Sequence, residues 1–196
     1  MASQNKHFAF SLSGSFCFFA AVAILVLPLD WLLSCMVAIL VHECSHLIAI
    51  FLCTGTWEGV AFGFGGAEIY LPGLSRGKEL ACALAGPLGG LCLTLLAPWF
   101  PKLAVCALVQ SLYNLLPVYP LDGGRAVKCL TDMLLPVSYS EFASAFLSAL
   151  CLGGLLALGV YAWLVLEFGP VLFVASLVIL LKSRKFPCKA AHLAVQ

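Results

Sequence analysis

Charge is what this chain has least of. Only 10% of its 196 residues are Asp, Glu, Lys or Arg, against 63% hydrophobic. Mean hydropathy is +1.08. A water-soluble domain needs a mixed, charged surface, so this composition excludes one and leaves an integral membrane protein. The sequence has no basic, aromatic-rich patch, which removes nucleic acid as a partner. It has ten cysteines but no Cys-x-x-Cys pair, so neither a zinc ribbon nor a thioredoxin-type motif is encoded. Cys17, Cys35, Cys44, Cys82, Cys92, Cys106 and Cys151 sit within apolar runs and read as small apolar fillers. The first apolar run follows a Lys6-bearing start and lacks an Ala-x-Ala type of cleavage site. It reads as a retained helix rather than a signal peptide.

What is there is a series of apolar runs near the ~20 residues that cross a bilayer as a helix. The first covers 8–27 and stops at Pro28, the second 31–53 and the third 79–99. The fourth covers 102–116, the fifth 142–166 and the sixth 170–181. They predict an all-α polytopic membrane protein with about six transmembrane helices. Between the second and third, residues 60–71 read as two short strands about a Gly65-Gly66 turn, a membrane-associated β-hairpin. Pro117 and Pro120 break the fourth helix, and a short helix over 126–135 follows. The chain reads as one transmembrane domain over 1–196, with its working core in 31–135 and a short basic tail over 182–196.

Orientation follows from Lys and Arg. With six spans, both termini and the 54–78 and 118–141 loops share one side. That side holds Lys6, Arg76, Lys78, Arg125, Lys128, Lys182, Arg184, Lys185 and Lys189, and the other holds only Lys102. Nine against one predicts that both termini are cytoplasmic.

Inside the second run lies His42-Glu43-Cys44-Ser45-His46. In a helix the two histidines fall one turn apart on one face, so both imidazoles reach one metal ion. Glu43 beside them can serve as a general base. Ionisable groups at membrane depth cost about 2.5–3.5 kcal/mol each on insertion scales, and function is the ordinary reason to keep them. Two buried histidines bonded to backbone would not explain the glutamate. Cys44 points about 100° away from each neighbour and is not counted as a ligand.

A hydrolytic zinc site usually takes three protein ligands. His7 and His192 lie in terminal segments, and Glu58, Glu79, Asp132 and Glu141 fall at interfaces. Asp122 differs in depth. About 14 helical residues before Pro117 span roughly 21 Å, some 9 Å short of a ~30 Å hydrocarbon core. The chain therefore leaves helix while still at membrane depth, and Asp122 follows. His46 lies seven residues before Cys53, roughly 10 Å from that end of its helix. Both estimates fall in one layer nearer the cytoplasmic face. The other reading of Asp122-Gly123-Gly124 is a turn that caps the next helix.

His42-Glu43-Cys44-Ser45-His46, followed by the segment from Asn114 to Gly124, NLLPVYPLDGG, resembles the site-2 protease family of intramembrane zinc metalloproteases. The likeness is to the bacterial branch that includes the stage IV sporulation protease for a pro-sigma factor. Ala85-Gly86-Pro87 also looks like a family element. The resemblance implies that His42, His46 and Asp122 bind one zinc ion and that Glu43 is the catalytic glutamate. It implies that Asn114 positions the substrate carbonyl or stabilises the oxyanion. It implies a hairpin, with Phe62, Phe64, Gly65 and Gly66, that pairs with an extended, membrane-associated protein substrate. The 54–78 segment is too short for an inserted PDZ domain, and the tail is too short for the CBS module of the sporulation branch.

Two other readings compete. A CAAX-type membrane peptidase uses a later Glu ligand, and no E-x-x-x-D segment follows here. A metal carrier or scaffold without enzymatic activity would spread polar groups along a path, whereas these cluster at one depth.

Overall fold

The computed structural model describes residues 28–55, 60–63, 66–69, 74–119, 121–165, 167 and 171–185. The first apolar run, Phe64 and Gly65, and the end of the basic tail lie outside them. Helix α1 is Leu29–Thr54, α2 is Arg76–Leu93, α3 is Pro101–Asn114, α4 is Asp122–Leu134, α5 is Val137–Leu164 and α6 is Val171–Lys185. Strand β1, Val60–Gly63, pairs antiparallel with β2, Gly66–Ile69, with Val60 opposite Ile69 and Gly63 opposite Gly66. Gly66 is therefore a strand residue rather than half of the expected turn.

Among the described residues, three stretches are long and apolar enough to cross a membrane: Leu29–Thr54, Arg76–Leu96 and Val137–Leu164. The chain forms two compact units. One holds the chain to Leu74 together with Ala85–Tyr113, and the other holds Ser75–Leu84 and everything from Asn114 on.

In the first unit, α1 begins after Pro28, whose fixed φ suits a helix start. Gly55 ends it with φ at 72° and donates its N–H to the Phe51 carbonyl at 2.7 Å. Only Ala38, His42, His46 and Ile50 are buried on α1, one residue in every four. Leu33, Met36, Ile39, Leu40, Ile48 and Leu52 are each at least half exposed. Imidazoles inside and leucines outside invert the pattern of a soluble helix and match a lipid-facing one.

Close approach stands in for hydrophobic drive, which lipid does not supply between helices. Beta-carbons at Gly86 and Gly89 of α2 would overlap His46 and Ser45 of α1. One at Gly90 would overlap the buried Ser111 hydroxyl of α3. Helix α2 gives way to a short turn of 3-10 helix at Thr94–Leu96, earlier than expected. Pro98 cannot continue the helix, and Pro101 is the first residue of α3, where its missing N–H costs nothing.

In the second unit, a hydrogen-bonded reversal at Leu116, Val118 and Leu121 follows Asn114. The Val118 N–H bonds to Leu116 O at 2.7 Å, Leu121 N–H bonds to Val118 O at 2.9 Å, and Ser148 of α5 bonds to Pro117 O at 2.8 Å. Val118 and Leu121 form a core with Leu152 of α5 and Ile179 of α6. Helix α4 starts at Asp122, four residues before the expected Ala126. Gly123 lies against the Leu115 and Leu116 carbonyls, and Gly124 against the Val118 and Tyr119 backbone. The two glycines, which argue against helix on propensity, let the first turn of α4 dock on the reversal.

A polar lattice holds the far end of α4. The Lys128 ammonium and the Ser140 hydroxyl both bond to Asp132 Oδ1. The Ser140 oxygen also lies 2.9 Å from Thr131 Oγ1. Arg76 reaches Asp132 at 3.5 Å and Glu79 at 2.8 Å. Sequence placed Asp132 and Glu79 at interfaces. The structure pairs both with Arg76.

Candidate metal centre

Helical spacing puts His42 and His46 on the buried face of α1, at 2% and 4% exposure. Their Nε2 atoms stand 3.3 Å apart, and the rings meet edge to face at 82°. Two nitrogens each ~2.05 Å from one tetrahedral ion are about 3.3 Å apart. The imidazole pair therefore has the spacing of two ligands on a single metal. The ring of His46 lies in a cradle on α2 that a β-carbon at Gly86 would fill. Donor type, distance and cradle fit a metal ion.

Glu43 follows His42 on the same helix and is half-buried. Its Oε2 is buried and has no hydrogen-bond partner among the described residues. A buried carboxylate oxygen left unpaired is costly. Ser45 turns its hydroxyl back to Val41 O at 2.7 Å and packs against Gly89. It spaces the helices and offers the site no donor. Cys44 is exposed, as its helical angle requires.

The other residues singled out by sequence fall as follows. Asn114 is the last residue of α3 and Asp122 the first of α4, and both are half-buried. The hydrogen-bonded reversal at Leu116, Val118 and Leu121 lies between them. Phe62 lies on β1 and Gly66 on β2, while Phe64 and Gly65 lie outside the described residues. Gly86, which sequence reasoning gave only as part of the Ala85-Gly86-Pro87 element and not as a site residue, lies against the His46 ring. Its signal was the small-residue run Ala85-Gly86-Pro87-Leu88-Gly89-Gly90, which shows that a close approach exists but not what approaches.

Electrostatics near α4 are those of a fixed scaffold. Burial alone would raise the Asp132 carboxyl, but bonds from Lys128 and Ser140 and the nearby Arg76 charge hold it below the ordinary carboxylate value. Burial and the Glu79 carboxylate push the Cys129 thiol up to about 11. Cys129 thus stays protonated and donates to Glu79 at 3.7 Å.

No protein-family model matches this chain, and no curated protein sequence matches it. Among solved structures, the fold is similar to the site-2 protease from Methanocaldococcus jannaschii. The TM-score is 0.58 at 17% identity, over 90% of this chain and 93% of that one. At that identity the likeness is one of fold.

Proposed function

We propose that this chain is an intramembrane zinc metalloprotease. It would hydrolyse a peptide bond in or near a transmembrane segment of a membrane-associated protein. The observation that carries the reading is the buried His42–His46 pair, at metal-ligand spacing, beside a glutamate with an unpartnered oxygen. The fold shared with a site-2 protease supports it.

In this reading His42, His46 and Asp122 hold one zinc ion. The donor set is of a kind that can take a metal. When bound, zinc supplies Lewis-acid chemistry, polarising a carbonyl and making water more acidic. Glu43 takes the proton from the attacking water and passes it to the leaving amine nitrogen. The Asn114 amide donates to the oxygen of the scissile carbonyl as charge builds there. A helical substrate has its carbonyls tied up within the helix, so it unwinds first. The free edge of the 60–71 hairpin, with Phe62, Phe64, Gly65 and Gly66, takes up the freed backbone as an added strand.

With six spans, the Lys and Arg bias puts both termini in the cytoplasm. This orientation sets the site nearer that face, so the product is released to the cytoplasm. The Asn114–Gly124 motif resembles the sporulation branch, which makes the precursor of a transcription factor the proposed substrate class.

The test is cleavage of tagged membrane-anchored precursors by the purified chain in detergent, with metal content measured on the same samples. Glu43→Gln should keep its zinc and lose at least 10²-fold in rate, the usual span for a general base. Asp122→Ala should lose the metal. A zinc-replete Glu43→Gln protein that still cleaves sinks the role of Glu43. Unchanged metal in Asp122→Ala removes that residue from the ligand set. Metal bound with no cleavage of any precursor would favour a carrier or scaffold.

A further inference from the structure

A pair of thiols links the helix that carries the histidines to α3. Cys35 of α1 and Cys106 of α3 bring their Sγ atoms to 3.0 Å, across 71 residues of sequence. Both are free thiols and half-buried. A disulfide bond is ~2.05 Å long, so the sulfurs need to close by about 1 Å. Two further contacts hold the same ends of the same helices. The Lys102 ammonium pairs with the Asp30 carboxylate, and it sits 5.7 Å from the centre of the Trp31 ring. Cys106 is one helical turn in from Lys102. Cys35 is two turns before His42 and close to its face of α1, roughly 10 Å away along the axis. The thiols are therefore held close from the nearby helix ends, and no large movement is needed to join them.

We propose that Cys35 and Cys106 are a reversible dithiol–disulfide couple, a covalent clasp between α1 and α3 that responds to oxidants. The oxidant is a small apolar disulfide, the class able to reach thiols between apolar helices. One cysteine, as thiolate, attacks a sulfur of that disulfide. The oxidant's S–S bond breaks and one thiol leaves. The second cysteine attacks the mixed disulfide, forms the Cys35–Cys106 bond and expels the second thiol. The two protein thiols give up two electrons and two protons, and the oxidant takes them to become two thiols. An added dithiol reverses the exchange.

Once closed, the clasp stops α1 from sliding or turning against α3 two turns from the first histidine. In the orientation proposed above, this end faces away from the cytoplasm, on the side where disulfides persist. That placement rests on the proposed topology, whereas the couple does not.

The test uses the full chain, purified in detergent and treated with dithiodipyridine. Digestion without reductant, followed by mass spectrometry, should find the Cys35 and Cys106 peptides joined, and dithiothreitol should separate them. Cys35→Ser and Cys106→Ser should each carry a single thiopyridine adduct on the remaining partner. The oxidised protein should also melt at higher temperature than the reduced one, a gain that both serine variants lack. Two separate adducts in the unsubstituted protein would overturn the proposal. So would unreacted Cys35 and Cys106 while the exposed Cys44 and Cys92 are labelled. Equal melting of the two forms would overturn the clasp. The readouts are masses and melting points, so they stand whether or not the chain cleaves peptides.

Discussion

Gly86 and the imidazole of His46 pack so closely that no β-carbon fits between them. A β-carbon at position 86 would overlap the ring at Nε2, the atom that stands 3.3 Å from its counterpart on His42. Gly86→Ala should push the ring aside and spoil the ligand spacing while leaving its chemistry intact. Changes to groups that orient a ligand cost about 10–100-fold in metal affinity. Zinc retained after dialysis against a weak chelator should fall by that order. Full retention would show that the cradle does not set the ring.

A β-carbon at Gly123 would meet the Leu115 and Leu116 carbonyls, and backbone has no rotamer by which to yield. Gly123→Ala should destabilise by about 1–3 kcal/mol, the usual cost of overpacking. Gly153 of α5 has nothing within 4 Å. Gly153→Ala should be neutral or stabilise by up to ~1 kcal/mol, since alanine is the better helix former. Thermal unfolding of both variants in one detergent checks the pair. Equal effects would mean that the 115–124 reversal is not packed as described.

The lattice around Asp132 titrates in acid. Its folded carboxyl lies below the ordinary value, so the stability it contributes is present above the unfolded pKa. That stability is lost as pH falls through the folded pKa. Lys128 and Ser140 carry most of the effect, because the Arg76 side chain is 56% exposed and solvent screens its charge. Asp132→Asn should lower the melting temperature at neutral pH. The gap to the unsubstituted protein should close as pH drops below ~4, near the carboxylate reference value. A gap that stays constant down to pH ~3 would assign the loss to packing rather than charge.

What the sequence made legible was set by cost. Histidines and a glutamate are expensive in an apolar helix, so the motif marked itself, and the buried face of α1 is where the spacing put it. The shortness of the fourth span was also readable, because prolines bound it on both sides. α3 has 14 residues. Contacts distant in sequence were not readable. Gly123 and Gly124 look like helix breakers until the carbonyls that need their bare backbones are known. Gly66 looks like a turn residue until its partner Gly63 is seen. Asp132, Lys128 and Ser140 are ordinary polar residues one by one, and only their meeting gives them a common task. Cys35 and Cys106 looked like fillers because 71 residues part them.

The buried seam of α1 carries an angular constraint. Ala38, His42, His46 and Ile50 advance by four residues, which turns each about 40° beyond the last. Together they trace a ridge tilted roughly 26° from the helix axis. A rod lying parallel to α1 can touch only two neighbouring members of such a slanted line. Covering all four therefore takes either an obliquely crossing helix or two separate pieces of chain. A parallel coiled coil, whose contacts alternate by three and four, would leave one end of this line bare.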